Sequence, residues 1–314
     1  LNGRVTLEFS LSANKFLRSV TWYSFKHSPG PSWLSKYENR QIRKPLECGP
    51  DGNSLYFVTN NIAFSKERGQ ILAHAAGCFG CHTANKDLPY SGGYKINTKY
   101  GTFISPNITF DEKNGIGKWN LEEFTRALKH GISPKGVPYY PVFPYNWYKE
   151  LKNNDINDIY NFLRSIPIQS IKQSNHKLKF PYNFRALLWM RSKIEYIFFS
   201  NNQFNTNNEI EKQGSYIVKS IGHCGACHSP RTFLSIVKNK NDLSGRPKSH
   251  KKINDEAPNI SNNKTKGIGS WDENDIVFFL QTGFKPDGDY VEGHMTGIIE
   301  DGTSYLSENE LKAV

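Results

Sequence analysis

Four of the chain's five cysteines stand in two identically spaced runs, Cys78-Phe79-Gly80-Cys81-His82 and Cys224-Gly225-Ala226-Cys227-His228. Two thiols three positions apart, followed at once by an imidazole, allow three chemistries. The pair could cycle between dithiol and disulfide, join a zinc site, or form two thioether links to one porphyrin while the histidine reaches its iron. Zinc wants four ligands, commonly two cysteine pairs together. Here the pairs are separated by 224 − 78 = 146 positions, each with its own downstream pattern. A thioredoxin-like pair should open a helix after a strand in a βαβ unit, and no such unit is visible. Covalent haem remains. Cys78 and Cys81 are expected to hold haem one with His82 on its iron, and Cys224 and Cys227 to hold haem two with His228 on its iron. Two covalently bound haem c groups are therefore expected. Cys48, the fifth cysteine, has no such companion; no role is expected for it, with a free thiol or a second attachment point as the alternatives.

The two runs open a long internal repeat. The first continues with Pro106-Asn107-Ile108-Thr109 and Asn114-Gly115-Ile116-Gly117-Lys118-Trp119, the second with Pro258-Asn259-Ile260-Ser261 and Lys266-Gly267-Ile268-Gly269-Ser270-Trp271. From Asn to Trp the spacing is 119 − 107 = 12 in one and 271 − 259 = 12 in the other. The Trp-to-Trp offset is 271 − 119 = 152, so the second unit carries six extra residues between its haem motif and its Pro-Asn motif.

The repeat also addresses the sixth iron ligand, which in a class I cytochrome is a downstream Met that raises the potential. The chain has two Met residues, Met190 and Met295. Met295 follows Trp271 by 295 − 271 = 24 positions and is assigned to haem two. The same count from Trp119 reaches Phe143, which cannot ligate iron. Haem one is then five-coordinate, or takes Met190 or a histidine (His74, His130, His176), or its site has degenerated. Trp119 and Trp271 could lie at a haem edge or serve as core. The Pro230 carbonyl could fix the tautomer of His228, and Arg231 could pair with a propionate.

Positioning these groups falls to short helices joined by long loops. One helix, with Ser65 as N-cap, enters the first cysteine pair, and its counterpart spans 211–221. A second follows each Trp, over 121–128 ending at Gly131 and over 272–281 ending at Gly283, where glycine suits a left-handed cap. A third runs over about 154–164, with Ile156, Ile159, Tyr160 and Leu163 at helical spacing. The fold class is mainly α, with two tandem class I cytochrome c domains. The division is 1–63 as an N-terminal extension, 64–167 as domain one, 168–208 as linker and 209–314 as domain two. The last helix starts near Ser307 and looks cut short at Val314.

A chain of 314 residues with 37% hydrophobic content has room for two cores. Its mean hydropathy is −0.61 and no run of eighteen apolar residues occurs, so no spanning helix is expected. The net charge of +11 comes from scattered Lys and Arg, with no nucleic-acid motif behind it. The stretch Ala13–Trp22 reads as a poor export signal, its apolar run broken by Arg18 and Ser19.

On Gly77–Thr83, Tyr100–Thr109, Gly115–Trp119, Phe180–Arg185 and Gly222–Arg231, the chain resembles the multihaem cytochrome c subunit of bacterial membrane-bound dehydrogenases acting on alcohol, gluconate, fructose or sorbitol, and aldehyde. The likeness covers about Ser65 to Val314. It implies electron transfer from a separate dehydrogenase catalytic subunit to ubiquinone or a terminal oxidase, on the periplasmic face of the inner membrane. In that family the loop here reading Tyr140-Pro141-Val142-Phe143-Pro144-Tyr145 carries Met at the Phe143 position, and many members add a third haem unit after the second. No acid, base or nucleophile constellation is visible, so no catalytic centre is expected. A dihaem peroxidase or sulfur-compound oxidase using an open haem one is the alternative, and a remnant with poor haem loading is a third reading.

Overall fold

The computed structural model describes residues 47–48, 55–56, 61–199, 206–232, 235–237, 239–248 and 256–314. The chain divides into two compact units, Leu1–Val58 and Thr59–Val314. In the first, the described residues are two short strands, β1 (Glu47–Cys48) and β2 (Leu55–Tyr56), paired antiparallel with Glu47 opposite Tyr56. The Cys48 side chain and the Ala13–Trp22 leader lie outside the described residues.

The second unit is built mainly from helices around one large core, with two smaller buried clusters beside it. Helix α1 (Asn61–Ala75) leads into α2 (Cys78–His82) through Gly77, whose φ of 73° makes the turn. The entry helix begins at Asn61, upstream of the expected Ser65 cap. Next come α3 (Leu121–His130), the one-turn α4 (Tyr145–Tyr148) and α5 (Asn153–Ser165). Asn120 caps α3 with a reciprocal bond to Glu123, and Gly131 ends it in the left-handed conformation. On α5 the apolar stripe Ile156, Ile159, Tyr160 and Leu163 is buried, as its 3.6-residue spacing requires.

α5 crosses α1 at Gly69. A Cβ there would lie 2.0 Å from the Asp158 carbonyl oxygen and 2.8 Å from the Phe162 Cβ. Only glycine lets the two backbones come so close.

The later half repeats this plan with α7 (Glu209–Tyr216), α8 (Gly225–His228), α9 (Glu273–Thr282), α10 (His294–Glu300) and α11 (Glu308–Ala313). Asp272 caps α9 with Asp275, and Gly283 closes it, matching α3. Gly214 is the crossing glycine here, its Cβ position 1.6 Å from the Ala313 oxygen. From crossing glycine to first cysteine the count is 78 − 69 = 9 in one half and 224 − 214 = 10 in the other. The extra residue is absorbed by a π-helical turn, Ile217–Ile221, in which the Gly222 N–H donates to the Ile217 carbonyl.

Between the halves, helix α6 (Arg185–Phe199) leaves Leu187, Trp189, Met190 and Ile194 exposed. Ahead of it, residues 168–178 run back over the first half. There β5 (Lys177–Leu178) joins β4 (Gly101–Ile104), itself paired with β3 (Lys95–Thr98), in a three-stranded antiparallel sheet. The buried core is continuous across the repeat. Leu72, Ile156 and Leu163 from one half share a cluster with Ile217, Val277, Leu306 and Leu311 from the other. Arg68 on α1 donates to Glu310 on α11, and the Tyr216 hydroxyl donates to Asp155 at 2.6 Å. Among the described residues no helix is long and apolar enough to cross a membrane.

Candidate haem sites

The single helical turn α2 places Cys78 and Cys81 three positions apart on one face and His82 beside them. The His82 Nδ1 lies 2.8 Å from the Pro106 carbonyl oxygen. A carbonyl only accepts, so Nδ1 carries the hydrogen and Nε2 is left with its lone pair. Burial lowers the ring's proton affinity and keeps it neutral, the form that binds iron. Pro106 is itself held by its neighbour. Asn107 is buried, donates to the carbonyls of Gln169 and Ile171, and accepts the Thr109 N–H at 2.8 Å.

The second site repeats the arrangement. The His228 Nδ1 lies 2.8 Å from the Pro258 carbonyl, and the Asn259 Oδ1 accepts the Ser261 N–H at 2.8 Å. The partner expected from sequence, Pro230, is not the acceptor. Ser229 leaves α8 extended, with φ −107° and ψ 145°, and carries Pro230 away, so the ring turns to the Pro-Asn loop thirty residues downstream. The Arg231 guanidinium donates to the backbone carbonyls of Ala226 and Ser235.

Helix α4 lies between the two motifs, with all four of its residues buried. The Tyr148 hydroxyl donates to the Ala76 carbonyl just before Cys78, and the His223 ring packs edge-on against Tyr148 with centroids 5.5 Å apart. Trp147 closes over the second motif; a Cβ on Gly225 would come within 2.7 Å of its ring. Burial, and then the neighbouring Cys227 sulfur, push the Cys81 thiol up, so the inner cysteines of the two motifs sit within electrostatic reach of one another.

These groups suit a haem. Burial pushes the Cys78 thiol up to about 12 and the Cys224 thiol up to about 11, the reverse of the lowered value a redox-active thiolate needs. The Tyr90 hydroxyl, within electrostatic reach of Cys78, and the Ser229 hydroxyl beside His228 are buried without a hydrogen-bond partner, as donors awaiting a bound group would be. Among the described residues no three His, Cys, Asp or Glu side chains converge to hold a bare metal ion.

Met295 is half-buried in the first turn of α10. Phe143 is half-buried against the main core, among the rings of Tyr139, Tyr145 and Tyr148. Met190 is 52% exposed on α6. The His74 Nδ1 is bonded to the Asp301 carbonyl, and its ring is stacked between Phe79 and Tyr305. The His176 Nδ1 accepts the Ile104 N–H, and His130 lines a cleft with Lys129, Trp189 and Lys193. Trp119 packs against the core and its carbonyl accepts the Tyr160 hydroxyl, while Trp271 meets Phe279 edge-on.

Comparison with known proteins agrees with this geometry. The cytochrome c family profile matches residues 66–167. A dihaem c-type cytochrome of Cereibacter sphaeroides is 33% identical over 87% of this chain and 89% of its own length. The cytochrome subunit of fructose dehydrogenase from Gluconobacter japonicus is 35% identical over 80% of this chain, and the cytochrome c subunit of a quinone-dependent alcohol dehydrogenase from Gluconobacter oxydans 33% identical over 79%. The chain spans about half the length of these two subunits. The peroxidase and sulfur-oxidase alternative finds no support among these relatives. A haem-binding cysteine motif, a tautomer-fixing loop and a relative aligned over nearly its whole length converge on one conclusion: the chain belongs to the c-type cytochromes, in the family of dihaem cytochromes c and dehydrogenase cytochrome subunits.

Proposed function

We propose that this chain carries two covalent haems and relays single electrons between them, as the cytochrome component of a membrane-bound dehydrogenase system. Cys78 and Cys81 would tether haem one, Cys224 and Cys227 would tether haem two, and His82 and His228 would each offer Nε2 to an iron, with Met295 as a further iron ligand for haem two. Residues 64–167 and 209–314 act as tandem class I cytochrome c domains joined by 168–208. The observation that carries this reading is the pair of 2.8 Å His-to-Pro carbonyl bonds, made alike in both repeats. Each fixes the tautomer in which only Nε2 can bind metal.

Haem supplies reversible one-electron exchange, and the protein supplies attachment, orientation and a dry setting. Cys81 and Cys227 lie within electrostatic reach of one another, and the buried Trp147 and Tyr148 pack against the two motifs. The donor is the catalytic subunit of a dehydrogenase oxidising a CH–OH or aldehyde group, a reading supported by the relatives named as cytochrome subunits of fructose and alcohol dehydrogenases. Electrons would leave to ubiquinone or a terminal oxidase, on the periplasmic face of the inner membrane. The test is a pyridine haemochrome titration of purified protein. Two haems per chain are expected, falling to one when both cysteines of either motif are changed to Ala. A colourless chain, or one haem in the parent protein, refutes the reading.

A further inference from the structure

Resting on the haem reading above, we propose that the first haem iron has no side chain in its sixth position and is a binding site for small neutral diatomic molecules such as carbon monoxide or nitric oxide.

The argument starts from register. The two halves match residue for residue at an offset of 152 from the capping Asn120 and Asp272 through the closing Gly131 and Gly283. The match continues through the next turn. The Ser133 N–H donates to the Val137 carbonyl as that of Lys285 does to Asp289, both at 2.9 Å. The Tyr139 N–H returns to the Gly131 carbonyl at 2.7 Å, and its equivalent, the Val291 N–H, to Gly283 at 2.9 Å. Four residues later stand Phe143 and Met295, and 143 + 152 = 295. Phe143 therefore holds the methionine's place.

No other side chain takes that place. The His74 ring is stacked between Phe79 and Tyr305, and the His176 Nδ1 accepts the Ile104 N–H, so its Nε2 carries the hydrogen and has no lone pair for iron. His223 packs on Tyr148 and is hydrogen-bonded to the Ala76 backbone. His130 belongs to the cleft with Trp189 and Lys193, and Met190 faces outward. The tyrosines around Phe143 do not supply an anionic oxygen. The Tyr148 hydroxyl donates to Ala76, and burial pushes the Tyr139 phenol up to about 12.

What surrounds the position is aromatic, with Phe143 centroids 5.7 Å from Tyr139 and 5.9 Å from Tyr148. Tyr148 in turn lies within electrostatic reach of both Cys78 and Cys81, which puts this cluster over the first motif. An apolar wall disfavours water and anions and accepts an uncharged diatomic.

The test uses the dihaem protein, with haem counted first by pyridine haemochrome. A count below two defeats the haem reading itself. With two haems present, carbon monoxide is titrated into the dithionite-reduced protein and followed by the Soret shift. One molecule bound per chain is expected. Phe143→Met should cut that binding at least tenfold and convert a high-spin ferric signal to low-spin, while Phe143→Leu retains it. No binding, or binding unchanged in Phe143→Met, overturns the proposal. So does an electron paramagnetic resonance spectrum of the parent protein with both haems low-spin, a measurement that needs no variant.

Discussion

Replacing Gly69 with Ala tests whether the close backbone approach of α1 and α5 governs stability. The added methyl would sit 2.0 Å from the Asp158 carbonyl oxygen and 2.6 Å from its carbon, against an ordinary contact of about 3.4 Å. The obstacle is backbone in the middle of α5, so no rotamer change relieves it, and α1 and α5 must part by roughly 1.4 Å. Parting them loosens Leu72, Ile156, Ile159 and Leu163, none more than 1% exposed. Overpacking of this kind costs roughly 1–3 kcal/mol, and here the upper end applies because both partners are rigid. Alanine returns about 1 kcal/mol through its better helix propensity. The net loss is about 2 kcal/mol, which for a unit of this size lowers Tm by roughly 4–8 °C. Thermal denaturation of the haem-loaded protein followed by circular dichroism reads this directly. Lys66→Ala, on the exposed face of the same helix, should stay within about 0.5 kcal/mol of the parent. A Gly69→Ala protein as stable as the parent would refute the claim that this crossing needs a bare backbone.

Three further outcomes follow from other contacts. Asn107→Ala strips three neighbours, Gln169, Ile171 and Thr109, of their buried partner, and should cost about 3 kcal/mol in denaturant unfolding. Tyr160→Phe leaves the Trp119 carbonyl without its donor and should cost about 1 kcal/mol in the same assay. Burial alone would raise the Glu310 carboxyl, but hydrogen bonds from Ser307 and Arg68 outweigh it and hold the group below its ordinary value of 4.5. A depressed carboxylate stabilises the fold above its unfolded pKa and ceases to as pH falls through the folded one. The Tm advantage of the parent over Glu310→Gln should therefore be full above pH 4.5 and close progressively below it; an advantage unchanged by acid would contradict this account.

Much of the candidate site was legible in the sequence because a Cys-x-x-Cys-His motif is local. Cys78, Cys81 and His82 need only one helical turn, and periodicity located α5 to within one residue at each end. What escaped was set by distance or by register. The acceptor for His228 lies thirty residues away, and nothing local distinguishes Pro258 from the adjacent Pro230. The π-turn at Ile217–Ile221 becomes visible only when the crossing glycines of both halves are aligned. The β3–β4–β5 sheet was hidden because its strands are two to four residues long, too short for alternation to show. The start of α1 fell at Asn61 because Ser65, a good cap by type, lies inside a helix already under way.

The core shared by both halves would hold the two proposed haem sites at a fixed separation. Among the described residues, Arg68 bound to Glu310, Tyr216 bound to Asp155, and the Trp147–Tyr148 turn packed between the motifs tie the two halves together. Two carriers joined by a loose tether must wait for a favourable encounter, and their exchange slows as the medium thickens. Two carriers set in one block do not wait, so traffic between them should be indifferent to viscosity, and only the docking of outside partners should feel it.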